Sequence, residues 1–295
     1  MTVAEQVASR AGLADLLDLT KPRLSLLVVL SCAVGMALAP VSPPGWGRAI
    51  AAIAATGAVV GGANALNCYR ERESDKWMRR TRNRPLPSGR LDPTTALAFG
   101  LTLALGGIAV LLWLKPLSGA LATLAVATYV LVYTPMKRTS SLCTLVGAVP
   151  GAIPPLIGWT AAGGGLDPGA WALFAWMFLW QPPHFLALAT LYREDYAAAG
   201  MPMFPVKHVD DGTVERQTAL WIAALVPIPV LLVPLSRAGT ITAVATPLLG
   251  LAWFLVAWRG RKTGATTAWA RSTFIASILY MGLTLLAFVL DAGSS

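Results

Sequence analysis

Long apolar stretches recur along the whole chain, and they constrain its fold more than any other feature of the sequence. The hydrocarbon core of a bilayer is crossed by about 20 mostly apolar helical residues. Nine such stretches occur: Leu24–Leu38, Arg48–Asn67, Thr94–Leu114, Leu117–Tyr133, Cys143–Ala161, Ala170–Leu191, Thr218–Leu235, Thr240–Trp258 and Ser272–Leu290. The sequence therefore predicts an all-α integral membrane protein with nine transmembrane helices.

Charged residues are too scarce for a water-soluble domain. They make up 13% of the 295 residues, whereas soluble domains usually carry about 25%. This composition excludes an ordinary cytosolic enzyme. The formal net charge of +9 is compatible with nucleic acid, acidic lipid or an anionic substrate as the partner.

The positions of the basic residues predict the orientation of the bundle. The amino-terminal segment and the loops after spans two, four, six and eight hold 20 of the 23 Lys and Arg residues. The positive-inside rule then places the amino terminus in the cytoplasm and the carboxyl terminus outside. Residues 1–20 have neither the Arg-rich composition of a transit peptide nor the apolar core of a signal peptide, which favours a bacterial inner (plasma) membrane. We expect no nucleic-acid partner, because the basic segments lack a series of stacking aromatics.

Acidic residues point to the functional end of the molecule. We expect a cytoplasmic segment over residues 1–20 and a single transmembrane domain over 21–295, with long cytoplasmic loops at about 67–93 and 191–217. These two loops hold nine of the 14 Asp and Glu residues. The positive-inside rule explains why Lys and Arg residues lie on this side, but it does not explain why Asp and Glu residues do. These loops are therefore the candidate catalytic region.

The first loop opens with three oxygen-bearing side chains at a helical spacing. If span two continues as a helix, Asn67, Glu71 and Asp75 lie one turn apart on a single face. An amide and two carboxylates form a hard oxygen surface suited to Mg²⁺, which prefers carboxylates, water and a bound phosphate. The arginines of residues 79–90 follow directly, and arginine matches phosphate oxygens with a planar fork of donors. Together they suggest a site for magnesium and a diphosphate.

Two plainer interpretations stay open on spacing alone. The acids could form a solvated helix end, with Glu71 and Glu73 paired to Arg72 and Lys76. The arginines could be a juxtamembrane topology signal.

Further runs of residues accompany the acidic face. They are Arg80-Thr81-Arg82-Asn83-Arg84-Pro85-Leu86, Tyr133-Thr134-Pro135-Met136-Lys137-Arg138, Gly151-Ala152-Ile153-Pro154-Pro155-Leu156-Ile157-Gly158-Trp159, Trp180-Gln181-Pro182-Pro183-His184-Phe185, Tyr192-Arg193-Glu194-Asp195-Tyr196 and Pro202-Met203-Phe204-Pro205-Val206. In this order they resemble the UbiA-type intramembrane prenyltransferases, and among these the protoheme IX farnesyltransferase (heme O synthase) family. The resemblance extends across roughly residues 20–290.

The resemblance implies a bundle of nine helices around a central cavity that is open laterally to lipid and capped by the two acidic loops. It implies that the farnesyl group of farnesyl diphosphate is joined to a vinyl group of heme B with addition of water, giving heme O and diphosphate. Mg²⁺ is the implied cofactor. A heme A synthase or oxidase assembly protein is the implied partner.

The family's residue roles transfer position by position. Asn67, Glu71, Asp75 and Asp195 are implied as catalytic magnesium ligands. The implied substrate contacts are Arg80, Arg84, Lys137, Arg138, His184, Tyr192 and Glu194. The family commonly has Asp at the position of Glu71, and the wider superfamily has a pair of Asp residues where this chain has only Glu194-Asp195, which weakens the transfer of a second full magnesium site.

His184 lies inside span six directly after two prolines, and a polar residue within a span is costly in lipid. We hypothesise that it contacts heme, as an axial ligand to iron or a partner to a propionate. The alternative is a histidine that hydrogen-bonds to a neighbouring helix.

Two other functions compete with this prediction. Another intramembrane prenyltransferase would act on a quinone or chlorophyll precursor. A secondary transporter also suits many spans with broken helices, but it has little use for acids and arginines concentrated on one side.

Overall fold

Apolar helices joined by short turns build the whole described part of the chain. The computed structural model describes residues 3–42, 44–209 and 211–294, with side chains from residue 12 onward, and contains no strand within them. The helices are α1 Val3–Thr20, α2 Pro22–Leu38, α3 Trp46–Asp75, α4 Pro93–Leu114, α5 Pro116–Met136, α6 Cys143–Ala162, α7 Pro168–Leu191, α8 Arg193–Ala198, α9 Phe204–Lys207, α10 Thr213–Leu225, α11 Ile228–Leu231, α12 Thr240–Trp258, α13 Gly260–Thr263 and α14 Thr267–Ser294. The predicted all-α class is confirmed.

Several segments of the described chain are long and apolar enough to cross a bilayer. Within the described residues seven segments meet this condition: α3, α4, α5, α6, α10 with α11, α12 with α13, and α14. An eighth is added if residues 12–38, bent at their middle, count as one span. Helix α7 is 24 residues long, but the Gln181-Pro182-Pro183-His184 run lowers its hydropathy. The chain is a multi-pass membrane protein, while the count of nine spans, the central cavity and the cytoplasmic amino terminus stay predictions.

A sharp bend at Lys21 separates α1 from α2. The two helices meet at 46°, and Lys21 adopts a left-handed conformation with φ of 51°. A residue that precedes proline is disfavoured in the right-handed helical region, so Pro22 accounts for the break here. The bend directs the Lys21 side chain onto α3, where its Nζ lies 3.0 Å from Asn67 Oδ1.

Prolines shape α5 and α7 in different ways. Lys115 is extended between α4 and α5, which pack on each other as a helical hairpin, and Pro116 begins the second helix. Helix α7 runs through Pro182 and Pro183, and the Gln181 amide donates to Ala148 O of α6 at 2.9 Å. Near the end of α5, Thr128–Tyr133 form a π-helix before the last α-helical residues Thr134–Met136, a distortion that is frequent at functional sites.

Glycines allow the central helices to approach at backbone distance. Helix α2 packs on α6, and a Cβ at Gly158 would lie 1.8 Å from Cys32 O. Helix α3 packs on α4 in the same way, since a Cβ at Gly62 would lie 2.7 Å from Gly100 O. Without a hydrophobic driving force between helices in lipid, such close packing stabilises the bundle. It also fixes α3, which carries the predicted acidic face.

Candidate functional site

The end of α3 presents a buried polar face. The helix extends to Asp75, so Asn67, Glu71 and Asp75 lie on one side as their spacing predicts. They are 1%, 5% and 1% exposed. Glu73, on another side of the helix, is exposed and pairs with Lys76 at 2.7 Å. The interpretation as a solvated helix end therefore holds for Glu73 but is wrong for Glu71.

Each residue of this face contacts a cation from a different part of the chain. Lys21 Nζ donates to Asn67 Oδ1 at 3.0 Å. Lys137 Nζ lies 2.7 Å from Glu71 Oε1, and Arg84 Nη1 lies 2.9 Å from Asp75 Oδ2. Three buried acceptors and three half-buried cations thus pair in one cluster, which we call the acid–base cluster.

The two carboxylates of the acid–base cluster keep coordination capacity. Asp75 Oδ1 has no hydrogen-bond partner among the described residues. Glu71 Oε1 is occupied by the Lys137 ammonium at 2.7 Å and becomes available only when that cation moves to another anion. Oxygen atoms buried in this way are costly unless a ligand reaches them. The cluster is therefore built to accept a further positive group.

Lys137 is held charged inside the protein. Burial opposes its charge, but the Glu71 carboxylate outweighs burial and raises the pKa of Lys137 above its usual range. The ammonium also lies 4.6 Å from the ring centre of Tyr133, where the π face adds attraction. An anion that enters the site meets this fixed positive charge at any physiological pH.

Asp195 joins the two acidic loops. Its Oδ1 accepts from the backbone N–H of Arg79 and its Oδ2 from that of Arg80, each at 3.2 Å. Both oxygens accept from the arginine-rich residues 79–90, which we call the arginine loop, so the geometry makes Asp195 a residue that positions this loop. Its predicted role as a magnesium ligand stays a prediction. Asp210 of the same loop lies outside the described residues.

The remaining predicted contacts of this end surround the arginine loop. The Arg80 guanidinium carbon lies 4.6 Å from the ring centre of Tyr192. Glu194 is highly exposed and meets Arg79 only at 3.9 Å. Arg138 is exposed, and its Nη2 approaches Arg70 O at 3.4 Å. Arg80 and Tyr192 are thus built into the loop junction, whereas Glu194 and Arg138 lie at its solvent edge.

His184 contacts none of the acid–base cluster. Its Nδ1 lies 2.7 Å from Ser277 Oγ of α14. The ring stacks on Trp180 with centroids 4.5 Å apart and packs on Phe274 at 4.8 Å. The second ring nitrogen has no hydrogen-bond partner among the described residues. One nitrogen is therefore fixed while the other stays available to a ligand.

Sequence reasoning missed three residues of the site. The sequence analysis uses Lys21 only as one of the basic residues that predict the orientation of the bundle. Its position directly before proline at the start of the first span is nevertheless a local signal for a bend. Thr134, whose Oγ1 accepts from Asn67 Nδ2 at 3.2 Å, lies within the Tyr133–Arg138 run. No sequence pattern indicates that Ser277 contacts His184, because the two residues are 93 positions apart in the chain.

Comparison with known proteins assigns the chain to a family. Residues 28–278 match the UbiA prenyltransferase family. The chain belongs to the UbiA prenyltransferase family. Two relatives called protoheme IX farnesyltransferase are similar to it. One, from Anaeromyxobacter sp. (strain Fw109-5), is 53% identical and covers 94% of this chain and 93% of its own; the other, from Anaeromyxobacter dehalogenans (strain 2CP-C), is 47% identical and covers 99% and 100%.

A solved UbiA structure supports the fold. The UbiA homolog from Archaeoglobus fulgidus bound to GPP and Mg²⁺ has a TM-score of 0.69 and 15% identity, and covers 93% of this chain and 99% of its own. Residues 28–278, which match the family, include every residue of the acid–base cluster except Lys21. As a UbiA prenyltransferase, this protein transfers prenyl groups.

The acid–base cluster fits a magnesium ion. The described residues contain no group of three His, Cys, Asp or Glu side chains arranged to hold a metal. Magnesium does not need one, since it is commonly bound by one or two carboxylates together with water and substrate phosphates. The partnerless Asp75 Oδ1, with Glu71 and the Asn67 amide beside it on one face, supplies such a donor set.

Proposed function

We propose that this protein is a protoheme IX farnesyltransferase of the bacterial inner membrane. It joins the farnesyl group of farnesyl diphosphate to a vinyl carbon of heme B, while water adds a hydroxyl group to the other vinyl carbon. Heme O, diphosphate and a proton are released. Similarity over nearly the full length to the two relatives of that name carries this proposal. The product then passes to a heme A synthase or an oxidase assembly protein.

The acid–base cluster suits the diphosphate half of this reaction. Breaking the carbon–oxygen bond of an allylic diphosphate leaves negative charge on the leaving group, and cations placed beforehand stabilise that charge as it develops. Lys21, Arg84 and Lys137 are three such cations on one buried face. Magnesium, when bound, would neutralise further charge on the diphosphate.

Binding of the diphosphate would exchange partners within the cluster. Phosphate oxygens compete with Glu71 and Asp75 for Lys137 and Arg84, because all of them are anionic acceptors. Each carboxylate that gives up its cation gains a free oxygen for magnesium. The ion pairs therefore keep the buried charges compensated before substrate arrives and release them to the substrate afterwards.

The arginine loop covers this end of the protein. Asp195 accepts from its backbone. Arg80 contacts Tyr192 and Arg84 contacts Asp75, and both arginines line one small cavity. Guanidinium groups fixed in this way can bind the outer phosphate in a bidentate manner. Exclusion of water beneath the loop would protect the farnesyl cation from early hydrolysis.

An acceptor assay tests the proposed function. Purified protein with farnesyl diphosphate and magnesium should convert heme B to heme O and should leave 4-hydroxybenzoate unchanged, as measured by reverse-phase chromatography of both acceptors. Prenylation of 4-hydroxybenzoate alone would instead assign the chain to the intramembrane prenyltransferases that act on quinone precursors. Loss of all turnover after chelation is expected, whereas full activity without a divalent cation would contradict the magnesium site.

His184 is proposed to contact heme through its available nitrogen. A His184→Ala variant should bind heme B with a shifted Soret band and show turnover reduced by about tenfold or more, since ligand-sphere residues tune heme position and electronics. Ser277→Ala is the matched control: it removes the partner of Nδ1 but keeps the imidazole, so the Soret shift should be smaller. An unchanged spectrum and turnover in His184→Ala would leave the histidine as a purely interhelical contact.

A further inference from the structure

A cavity opens where α10 begins and α12 ends. Its volume is about 710 Å³. Its larger apolar lining residues are Leu220, Phe254 and Trp258, and its charged lining residues are Asp211, Glu215, Arg216 and Arg261. None of the lining residues belongs to the acid–base cluster or contacts His184. The cavity is therefore separate from the proposed prenyl transfer.

Glu215 is the unusual residue of this cavity. It is 3% exposed, yet it has no hydrogen bond or ion pair within the described part of the chain. Its side chain packs on Gly260, where an added Cβ would lie 2.9 Å from Glu215 Cγ. Its carboxylate oxygens are not fully enclosed by protein and open on the cavity, where a carboxylate with so little access to solvent is stabilised by a bound partner. Glu215 thus calls for a ligand that carries hydrogen-bond donors or positive charge.

Arg216 and Arg261 supply the opposite charge at the mouth of the same cavity. Both are exposed and form no ion pair with a described residue. The Arg261 guanidinium carbon lies 4.3 Å from the ring centre of Trp258, which holds it at the cavity wall. Asp211 also lines the cavity and lies 2.8 Å from His208 Nδ1, but its single negative charge cannot neutralise both guanidinium groups.

The surface around the cavity is apolar. Leu220 is 57% exposed and Leu255 55% exposed, and they lie on the membrane-crossing helices α10 and α12. Acyl chains would cover such faces in a bilayer. A ligand that enters here therefore needs an apolar body, a cationic group for Glu215 and an anionic group for the arginines.

We propose that this cavity binds the headgroup of a zwitterionic aminophospholipid. The ammonium group donates to Glu215, the phosphate accepts from Arg216 and Arg261, and the acyl chains lie along α10 and α12. An anionic lipid would satisfy the arginines but leave Glu215 without a partner. A phosphocholine headgroup has no N–H donor for the carboxylate.

Lipid retention by the purified protein tests this proposal. Native mass spectrometry would compare phosphatidylethanolamine, phosphatidylcholine and phosphatidylglycerol with identical acyl chains. Wild-type protein should retain phosphatidylethanolamine in preference to the other two by about tenfold, the effect of one charge-assisted hydrogen bond. Glu215→Gln should remove this preference, and an Arg216→Gln, Arg261→Gln double variant should lose all three lipids.

Arg259→Gln is the matched control, because Arg259 is an exposed arginine of the same turn that does not line the cavity. It should retain lipids like the wild type. A Glu215→Gln protein that still prefers phosphatidylethanolamine would overturn the proposal, as would a wild type that prefers phosphatidylglycerol. If Glu215→Gln does not fold, the arginine double variant decides, since both arginines are exposed and their loss leaves the core intact.

Discussion

An Asp75→Asn variant should lose heme O formation by about 10²- to 10³-fold, the range found when one preorganised electrostatic group is removed from an active site. The substitution keeps the shape of the side chain, which is 1% exposed, and removes its charge. It takes away the partnerless Oδ1 carboxylate oxygen offered to magnesium and the counter-charge of Arg84. Extracted membranes should contain heme B but almost no heme O.

Glu73→Gln is the control for this result. It lies two residues away on the same helix, but it is exposed and pairs with Lys76. Its heme O content should equal that of the wild type, since surface pairs contribute little. Equal heme O in the Asp75→Asn and wild-type membranes, at equal protein abundance, would remove Asp75 from the proposed mechanism.

The acidic face was predictable from sequence because it is a local feature. Residues four apart in a helix share a face whatever the rest of the fold does, and α3 continues to Asp75 as that argument requires. The exposed fractions were not predictable. Spacing treats Glu71 and Glu73 alike, and only the packing of neighbouring helices buries one and leaves the other in solvent.

The cations of the site were only partly predictable from the sequence. Arg84 is nine residues from its partner and lies in the segment already singled out. Lys21 reaches Asn67 across 46 residues, through a bend that depends on Pro22 and on the docking of α1 and α2. Pairing over such separations is decided by tertiary packing, which no residue pattern in one sequence specifies.

Asp195 and α7 illustrate two other limits. Sequence identified Asp195 as a candidate ligand but could not indicate that both oxygens accept from the arginine loop. Hydropathy alone ranks α7 below the other long helices, because its Gln-Pro-Pro-His run is polar. In both cases the polar groups are satisfied or oriented by partners that are distant in the chain.

The Glu71–Lys137 pair should give the second large effect, on stability as well as on activity. The side chain of Glu71 is 7% exposed and that of Lys137 is 14% exposed, so little of either charge reaches solvent. Glu71→Gln leaves an unpaired ammonium inside the protein, and Lys137→Met leaves an unpaired carboxylate. Breaking a buried pair from one side costs about 3–5 kcal/mol, so each single variant should unfold at a clearly lower temperature in detergent. The exposed Glu73–Lys76 pair has the same 2.7 Å separation, and its loss should cost less than about 1 kcal/mol.

The double variant Glu71→Gln, Lys137→Met separates stability from function. Replacing both members of a buried pair by neutral groups is often neutral for stability, so its unfolding temperature should return close to that of the wild type. Heme O formation should not return, because the diphosphate has lost a fixed cation and magnesium a carboxylate. Thermal unfolding and pigment extraction on the same four proteins would measure this. A double variant that regained activity along with stability would show that the pair serves packing alone, and the exchange of partners proposed for diphosphate binding would have to be abandoned.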